Sequence, residues 1–282
     1  MAIAAEIVAE DVRRALAEDV GTGDLSADAI PAGRHTRATV VARVDGVACG
    51  RPWFDAVFAA VDACIAVDWH VGEGDRLAPG TVLCSLAGPA RGLFTGERCA
   101  LNFLQLLSGV ATATRAHVDA VAATDAVILD TRKTLPGLRA AQKYAVACGG
   151  GQNHRMGLFD AAMLKENHIH AAGGIARAVT ALRAAHPEAD LTVEVETLAQ
   201  MREALAAGAD RLLLDNFALA ELRQAVGENA GRARLEASGG VDLELIGDIA
   251  DTGVDCISVG ALTKDVQALD LSLRYFEGPP AD

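Results

Sequence analysis

Aromatic side chains are scarce: two Trp, two Tyr and seven Phe make up 4% of 282 residues. Ala and Gly dominate instead, a composition that suits closely packed helices and tight turns. Cysteine occurs without pattern. Cys49, Cys64, Cys84, Cys99, Cys148 and Cys256 include no Cys-x-x-Cys pair, the clustered spacing that a zinc site or a disulfide framework normally shows. The expectation is buried free thiols in a reduced, cytoplasmic protein. The start, Met1-Ala-Ile-Ala-Ala-Glu6, lacks the basic and apolar regions of a signal peptide, and no apolar run reaches membrane-spanning length. No His pair stands at i, i+4 beside a Glu, as a zinc hydrolase requires, and no nucleophile-elbow motif is present. Gly149-Gly-Gly151 lacks the Lys-Ser/Thr ending of a phosphate loop and reads as flexible support for the residues that follow. Positive charge is in deficit as well. The formal net charge of -13 argues against non-specific nucleic-acid binding and against an anionic membrane surface.

The deficit is uneven. Between Asp130 and His170 stand six Lys/Arg (Arg132, Lys133, Arg139, Lys143, Arg155, Lys165) against three acids (Asp130, Asp160, Glu166), a local +3 that leaves -16 for the remainder. An acidic protein binds anions when its cations are concentrated in this way. The 51% hydrophobic and 22% charged content permits a sizeable buried core.

The first third reads as a small α+β unit. Ile7/Val8, Val12, Ala15/Leu16 and Val20 give a helix over 6–20 that stops at Gly21. Segment 36–50 alternates as a strand and breaks at Asp45-Gly46, a hairpin signal. A helix follows around Trp53–Val61, then strands at 65–71 and 81–87, then a long helical pattern over 94–121. After residue 122 the rhythm changes. Apolar runs at 126–130, 161–165, 191–195, 211–214, 233–237 and 256–259 recur with room for helices between them, the last three at about the twenty-residue interval of a βα unit. Runs such as Ala126-Val-Ile-Leu129 and Arg211-Leu-Leu-Leu214 imply burial on both faces, hence parallel strands. Polar residues fall at the carboxyl end of every run. In a barrel these ends converge on one mouth, whereas an open sheet offers ligands only a switch point. The fold class is therefore α/β, with a six-stranded α/β barrel favoured.

The polar groups at those ends carry the chemistry. Thr131-Arg132-Lys133-Thr134 offers a guanidinium fork that matches a carboxylate and a mobile ammonium. Asn153-His154-Arg155 and Lys165 join it. A mouth with several cations is self-repulsive unless it takes an anion. Glu194 and Glu196 share a strand face and Asp215 ends the next strand. Such carboxylates need partners, either the cations or a ligand's hydroxyls and Mg2+. Ser238-Gly239-Gly240 and Ser258-Val259-Gly260 end two late strands, a common position for a phosphate-binding nest.

Leu129-Asp-Thr-Arg-Lys-Thr-Leu-Pro-Gly137, Lys143-Tyr-Ala-Val, Gly149-Gly-Gly-Gln-Asn-His-Arg-Met-Gly-Leu158 and Leu164-Lys-Glu-Asn-His-Ile169 resemble the quinolinate phosphoribosyltransferase family. Glu97-Arg-Cys-Ala-Leu-Asn-Phe103, Val193-Glu-Val-Glu-Thr197, Leu214-Asp-Asn216 and Glu236-Ala-Ser-Gly-Gly240 extend the likeness over nearly the whole chain. The resemblance implies an N-terminal α/β sandwich domain, residues 1–110 with 268–282 returning to it, the final helix around Leu269–Phe276 among them. Residues 111–267 would form the barrel of a type II phosphoribosyltransferase. It implies a decarboxylating transfer from phosphoribosyl pyrophosphate to quinolinate in de novo NAD biosynthesis. Thr131, Arg132, Lys133, His154, Arg155 and Lys165 would bind substrate, with Lys133, Lys165, Glu194 and Asp215 as the catalytic set. Glu194 and Asp215 would hold the ribose hydroxyls and Mg2+ carried with the pyrophosphate, partly through water. Ser238–Gly240 and Ser258–Gly260 would cradle the 5-phosphate. Arg98 would cross the interface of a homodimer that could stack into hexamers. Two other readings stay open: a phosphoribosyltransferase acting on another aromatic acid, and a non-catalytic phosphate-metabolite sensor. A barrel lyase with Lys133 or Lys165 as Schiff base is a third.

Overall fold

The computed structural model describes residues 3–276. The chain packs as two compact units. One comprises the chain up to Arg115, Leu135–Gly150 and the chain from Thr263; the other comprises Ala116–Thr134 and Gly151–Leu262.

In the first unit, helix α1 (Ala5–Asp19) buries Val8 and Val12 together with the Asp11 carboxylate. Asp11 is compensated by Trp53 Nε1–H at 3.0 Å and Arg14 at 2.6 Å. Strand β1 (His35–Ala42) leads to the short β2 (Gly46–Val47), then α2 (Arg51–Val61), β3 (Ala66–Trp69), β4 (Arg76–Leu77), β5 (Val82–Pro89) and the long α3 (Ala90–Ala120). The hairpin expected at Asp45-Gly46 does not form. β2 pairs with β4, while β1 pairs with β5. Gly46 serves close packing instead, since a Cβ there would run into the Leu269 side chain.

The second unit begins with β6 (Val127–Leu129); the chain then passes through α4 (Arg139–Cys148), which packs in the first unit. Gly149, at the end of α4, is a packing residue rather than a flexible one, because a Cβ there would meet Ala111 O and the Thr114 side chain. There follow β7 (Ala162–Leu164), α5 (Glu166–Ala172), α6 (Ile175–Ala185), β8 (Leu191–Val195), α7 (Leu198–Ala206), β9 (Arg211–Asp215), α8 (Leu219–Asn229), β10 (Arg234–Ser238), α9 (Ile246–Ala250) and β11 (Cys256–Ser258). The six strands form one parallel sheet in the order β6-β11-β10-β9-β8-β7. Chain neighbours are sheet neighbours from β7 to β11, and β6 joins β11, so the order is that of a barrel. Its seam falls between β6 and β7, where no ladder is found among the described residues. Gln152 lies along the open side of β6, its N–H donating to Ile128 O at 2.8 Å and its carbonyl accepting from Asp130 N at 3.2 Å.

Register and the two-residue period sort the side chains. Glu194, Leu213 and Glu236 lie in one row across β8, β9 and β10. Residues two apart share a face, so Met163, Asp215, Ser238 and Ser258 follow them inward. The alternate residues Val193, Val195, Leu212, Leu214, Leu235 and Ile257 are buried on the outer face, where α7 and α9 pack.

The final strand β12 (Leu271–Phe276) returns to the first unit and pairs antiparallel with β1 along all six of its residues, giving the order β12-β1-β5-β3. A helix was expected there. The segment is too short and too evenly alternating for one, and its backbone finds partners on the free side of β1.

Candidate active site

A cavity of about 320 Å3 opens at the carboxyl ends of the parallel strands, lined by Thr131, Arg132, Lys133, His154, Arg155, Met163, Lys165, Glu194, Leu213, Asp215, Glu236, Ser238 and Ser258. Its size is ordinary for a small-molecule site. Ten of the fifteen residues expected to bind substrate are in this lining; Arg98, Gly239, Gly240, Val259 and Gly260 are not.

The first cations are placed by the turn after β6. Thr131 Oγ1 accepts from Lys133 N at 3.0 Å, and Thr134 N donates to Arg132 O at 3.0 Å. The second group is placed by Asp130, whose side chain faces away from the cavity and is fully buried. It accepts from Asn153 Nδ2 at 2.7 Å and from His154 N at 2.9 Å, anchoring the 152–155 loop beside β6. Arg155 N donates to His154 Nδ1 at 2.7 Å, so the neutral ring carries its proton on Nε2. That nitrogen is 3.2 Å from Glu236 Oε2. Arg155 itself donates to Ala161 O at 3.1 Å. Burial, and then the adjacent Arg132, pull its guanidinium below the ordinary arginine value, against Asp160 and Glu194. The neighbouring Arg132 thus adds to the effect of burial on Arg155.

On the facing strands, Lys165 Nζ donates to Glu194 Oε2 at 2.6 Å. Asp215 accepts from Asn216 Nδ2 at 2.9 Å. Burial, then the Glu194 charge, raises the Asp215 carboxyl above its usual value, opposed by Lys165, Lys133 and the Asn216 amide. A cation beside Glu194 and Asp215 would offset the Glu194 charge that helps to raise Asp215. Each carboxylate also keeps an oxygen outside these two bonds, so the pair fits a Mg2+ ion that takes its other oxygens from phosphates and water. Glu196 is exposed and lines a neighbouring depression with Glu166 and His170.

Glu236 forms the floor, and residue-by-residue reading had left it without a role. It is fully buried, accepts from Arg211 Nη1 at 3.1 Å and takes a short hydrogen bond from the Ser258 hydroxyl. Burial drives its carboxyl upward, but His154, Ser258 and Arg211 together hold it below the usual range. The signal in the sequence was an acid inside an apolar strand run.

The late glycine loops divide. Gly239 and Gly240 adopt φ of +99° and +59°, and a Cβ on Gly239 would overlap the Asn216 side chain. Glycine is therefore required where the backbone turns out of β10. Ser258 is committed to Glu236, and Val259 is buried with its N–H donated to Leu129 O at 2.9 Å. The Val259 N–H, expected in an anion nest, is thus engaged by the β6 edge in this structure. Gly260 approaches Lys133, whose Cδ lies 3.1 Å from the place a Cβ would take. Arg98 is exposed on α3.

Comparison with known proteins gives the family. Residues 20–108 match the family model of the quinolinate phosphoribosyl transferase N-terminal domain, and residues 110–274 match that of the C-terminal domain. The chain is 45% identical over 274 residues to the nicotinate-nucleotide pyrophosphorylase (carboxylating) of Mycobacterium leprae strain TN, covering 94% of this chain and 95% of that protein. It is 43% identical over 257 residues to a probable nicotinate-nucleotide pyrophosphorylase (carboxylating) of Bacillus subtilis strain 168, covering 91% and 89%. The solved nicotinate-nucleotide pyrophosphorylase of Francisella tularensis superposes with a TM-score of 0.95 at 43% identity over 98% of both chains. The chain belongs to the quinolinate phosphoribosyltransferase family.

Proposed function

We propose that the cavity transfers the phosphoribosyl group of phosphoribosyl pyrophosphate to the ring nitrogen of quinolinate, releasing pyrophosphate and CO2 and giving nicotinate mononucleotide for NAD biosynthesis. The observation that carries this reading is the pairing of four cations, Arg132, Lys133, Arg155 and Lys165, with the carboxylates Glu194 and Asp215 around one cavity. A diacid satisfies the first group and a polyhydroxylated, Mg2+-bearing sugar phosphate the second. The protein would work in the cytoplasm; no helix among the described residues is long and apolar enough to cross a membrane.

Charge dictates the division of labour. Arg132 and Arg155 would grip the diacid bidentately, with His154 held beside them by its Nδ1 bond. Glu194 and Asp215 would bind the ribose hydroxyls, hold Mg2+ and face the cationic sugar centre that develops as pyrophosphate leaves. Lys133 and Lys165 would neutralise the departing oxygens. Mg2+, when bound, supplies further neutralisation of the pyrophosphate. Fixing nitrogen and sugar carbon in line contributes several kcal/mol, roughly. The quaternised nitrogen then stabilises the carbanion left on the adjacent ring carbon as its carboxylate departs as CO2, and a proton from solvent takes the place of the carboxylate. The exposed N–H groups of Gly239 and Gly240 suit the 5-phosphate better than the committed Ser258–Val259 stretch. Arg98 would complete the site across a homodimer, which could assemble further into a hexamer.

CO2 and pyrophosphate should appear only when quinolinate, phosphoribosyl pyrophosphate and Mg2+ are supplied together; turnover of nicotinate at an equal rate would overturn the diacid assignment. Arg132→Ala should raise the quinolinate KM about 10- to 100-fold, the loss of a charge-assisted contact of roughly 1.5–3 kcal/mol, with the KM for the sugar donor little changed. Glu236→Gln leaves Arg211 without its charge partner and should cost about 3 kcal/mol in denaturant unfolding at neutral pH. Because the folded carboxyl lies below its usual value, its stabilisation is present above about pH 4.5 and is lost as pH falls through the folded value. The gap between wild type and variant should therefore narrow on acidification. Arg98→Ala and Lys165→Ala proteins, each inactive alone, should regain activity when mixed as dimers, since one composite site receives both intact residues. Verified mixed dimers without activity would remove Arg98 from the site.

A further inference from the structure

The scattered cysteines gave no metal signal by spacing, yet the first unit brings two of them to one point. Cys49 follows β2, Glu73 lies between β3 and β4, and Cys148 ends α4. Their ligand atoms all lie within 4.8 Å of one another. Cys148 Sγ is 3.5 Å from Glu73 Oε2. Two ligands of a tetrahedral zinc ion, at ordinary Zn–S and Zn–O lengths, stand about 3.6 Å apart. We propose that Cys49, Glu73 and Cys148 form a binding site for a borderline-soft divalent cation of the Zn2+ class, with water in the fourth position.

The surroundings hold these groups in place. The Cys49 backbone is clamped on both sides by Ser108, whose Oγ accepts from Cys49 N at 3.0 Å and donates to Cys49 O at 3.0 Å. Glu73 is oriented by Gly50 N at 3.0 Å and Arg51 N at 2.6 Å, at the start of α2. Such outer bonds to a ligand carboxylate are what a metal site needs to fix its donors. Gly50 has φ +116°, a backbone conformation that L side chains rarely adopt, and lies close to Leu104 Cα and Phe103 O, so a side chain there would be strained. Two sulfurs and one oxygen select Zn2+ over Mg2+ or Ca2+, which take oxygen ligands. This site is thus chemically distinct from the carboxylate pair in the barrel cavity. In the metal-free protein burial, then Cys148 and Glu73, push the Cys49 thiol well above the ordinary thiol value, so it keeps its proton. Binding would release the two thiol protons to solvent as two Cys–S–metal bonds form.

Co2+ titration of the full chain under reducing conditions tests the proposal. Exposed Cys64 is first replaced by Ser to remove a competing thiol. One equivalent should produce the thiolate-to-cobalt charge-transfer band and the intense visible bands of tetrahedral coordination, and equimolar Zn2+ should abolish both. Cys148→Ser and Cys49→Ser should each weaken binding by roughly tenfold or more and reduce the charge-transfer intensity, while Glu73→Gln should weaken binding and keep that band. If Cys49→Ser does not fold, Cys148→Ser carries the comparison. Absence of the band in folded protein overturns the proposal, as does a band indifferent to both cysteine changes. A Cys49–Cys148 disulfide in protein isolated without reductant, in place of bound metal, overturns it as well.

Discussion

A carboxylate removed from water must be compensated by its neighbours, and Glu236, with no solvent exposure, is compensated from three separate elements. Arg211 reaches it from the start of β9, Ser258 from the end of β11, and His154 from the loop beside β6. This buried charge therefore ties together the strands and the loop that present the cavity's other groups. Asp215 is on the same face of β9 as Arg211, Arg155 follows His154 directly, and Ser238 is two residues beyond Glu236. A shift in any compensator would leave a charge unpaired, so the position of each site group is coupled to the others through electrostatics rather than shape alone.

That coupling works because a parallel sheet in register makes rows. Glu194, Leu213 and Glu236 are aligned by the ladder itself. One residue of slip would exchange them with Val193, Leu212 and Leu235, placing the carboxylates among the outer-face apolar side chains. The apolar packing of the outer face and the polar chemistry of the inner face thus enforce the same register. The outer packing protects the site without contributing an atom to it.

Much of this was legible because it follows from periods and local composition. The six runs became β6 to β11 in place, since continuous apolar character is the mark of strands buried on both faces. Four of the six cations of the stretch, with Glu194 and Asp215, reached one cavity because the barrel order collects strand ends, whereas Arg139 and Lys143 went to α4 in the first unit. What escaped depends on contacts between residues remote in sequence. Asp45-Gly46 has hairpin chemistry, but Gly46 is needed against Leu269, more than two hundred residues on. The terminal strand exists because β1 offers it a partner, which no local propensity records. Glu236 lay in plain view inside a motif, yet its role required knowing that Arg211, Ser258 and His154 meet it. The cysteine pair shows the same limit, for Cys49 and Cys148 are brought together only by the fold.

The ligand-free cavity holds its charges in compromise. Lys165 bonds Glu194 while remaining 46% exposed, and Glu194 is 18% exposed; so open a pair is worth only about 0–1 kcal/mol. Burial first, and then the charge of Glu194, raises Asp215; burial first, and then the charge of Arg132, lowers Arg155. Like charges have been set side by side on both walls, with one weak bridge between the walls. A dianionic ring beside the arginines and a cation beside the carboxylates would each remove a repulsion, and Lys165 could leave Glu194 at small cost. On the proposed reading the filled site would be more stable in its charges than the free one, and that difference would be binding energy placed where the reacting groups must be held, at the small cavity around which a chain of net charge -13 keeps four cations.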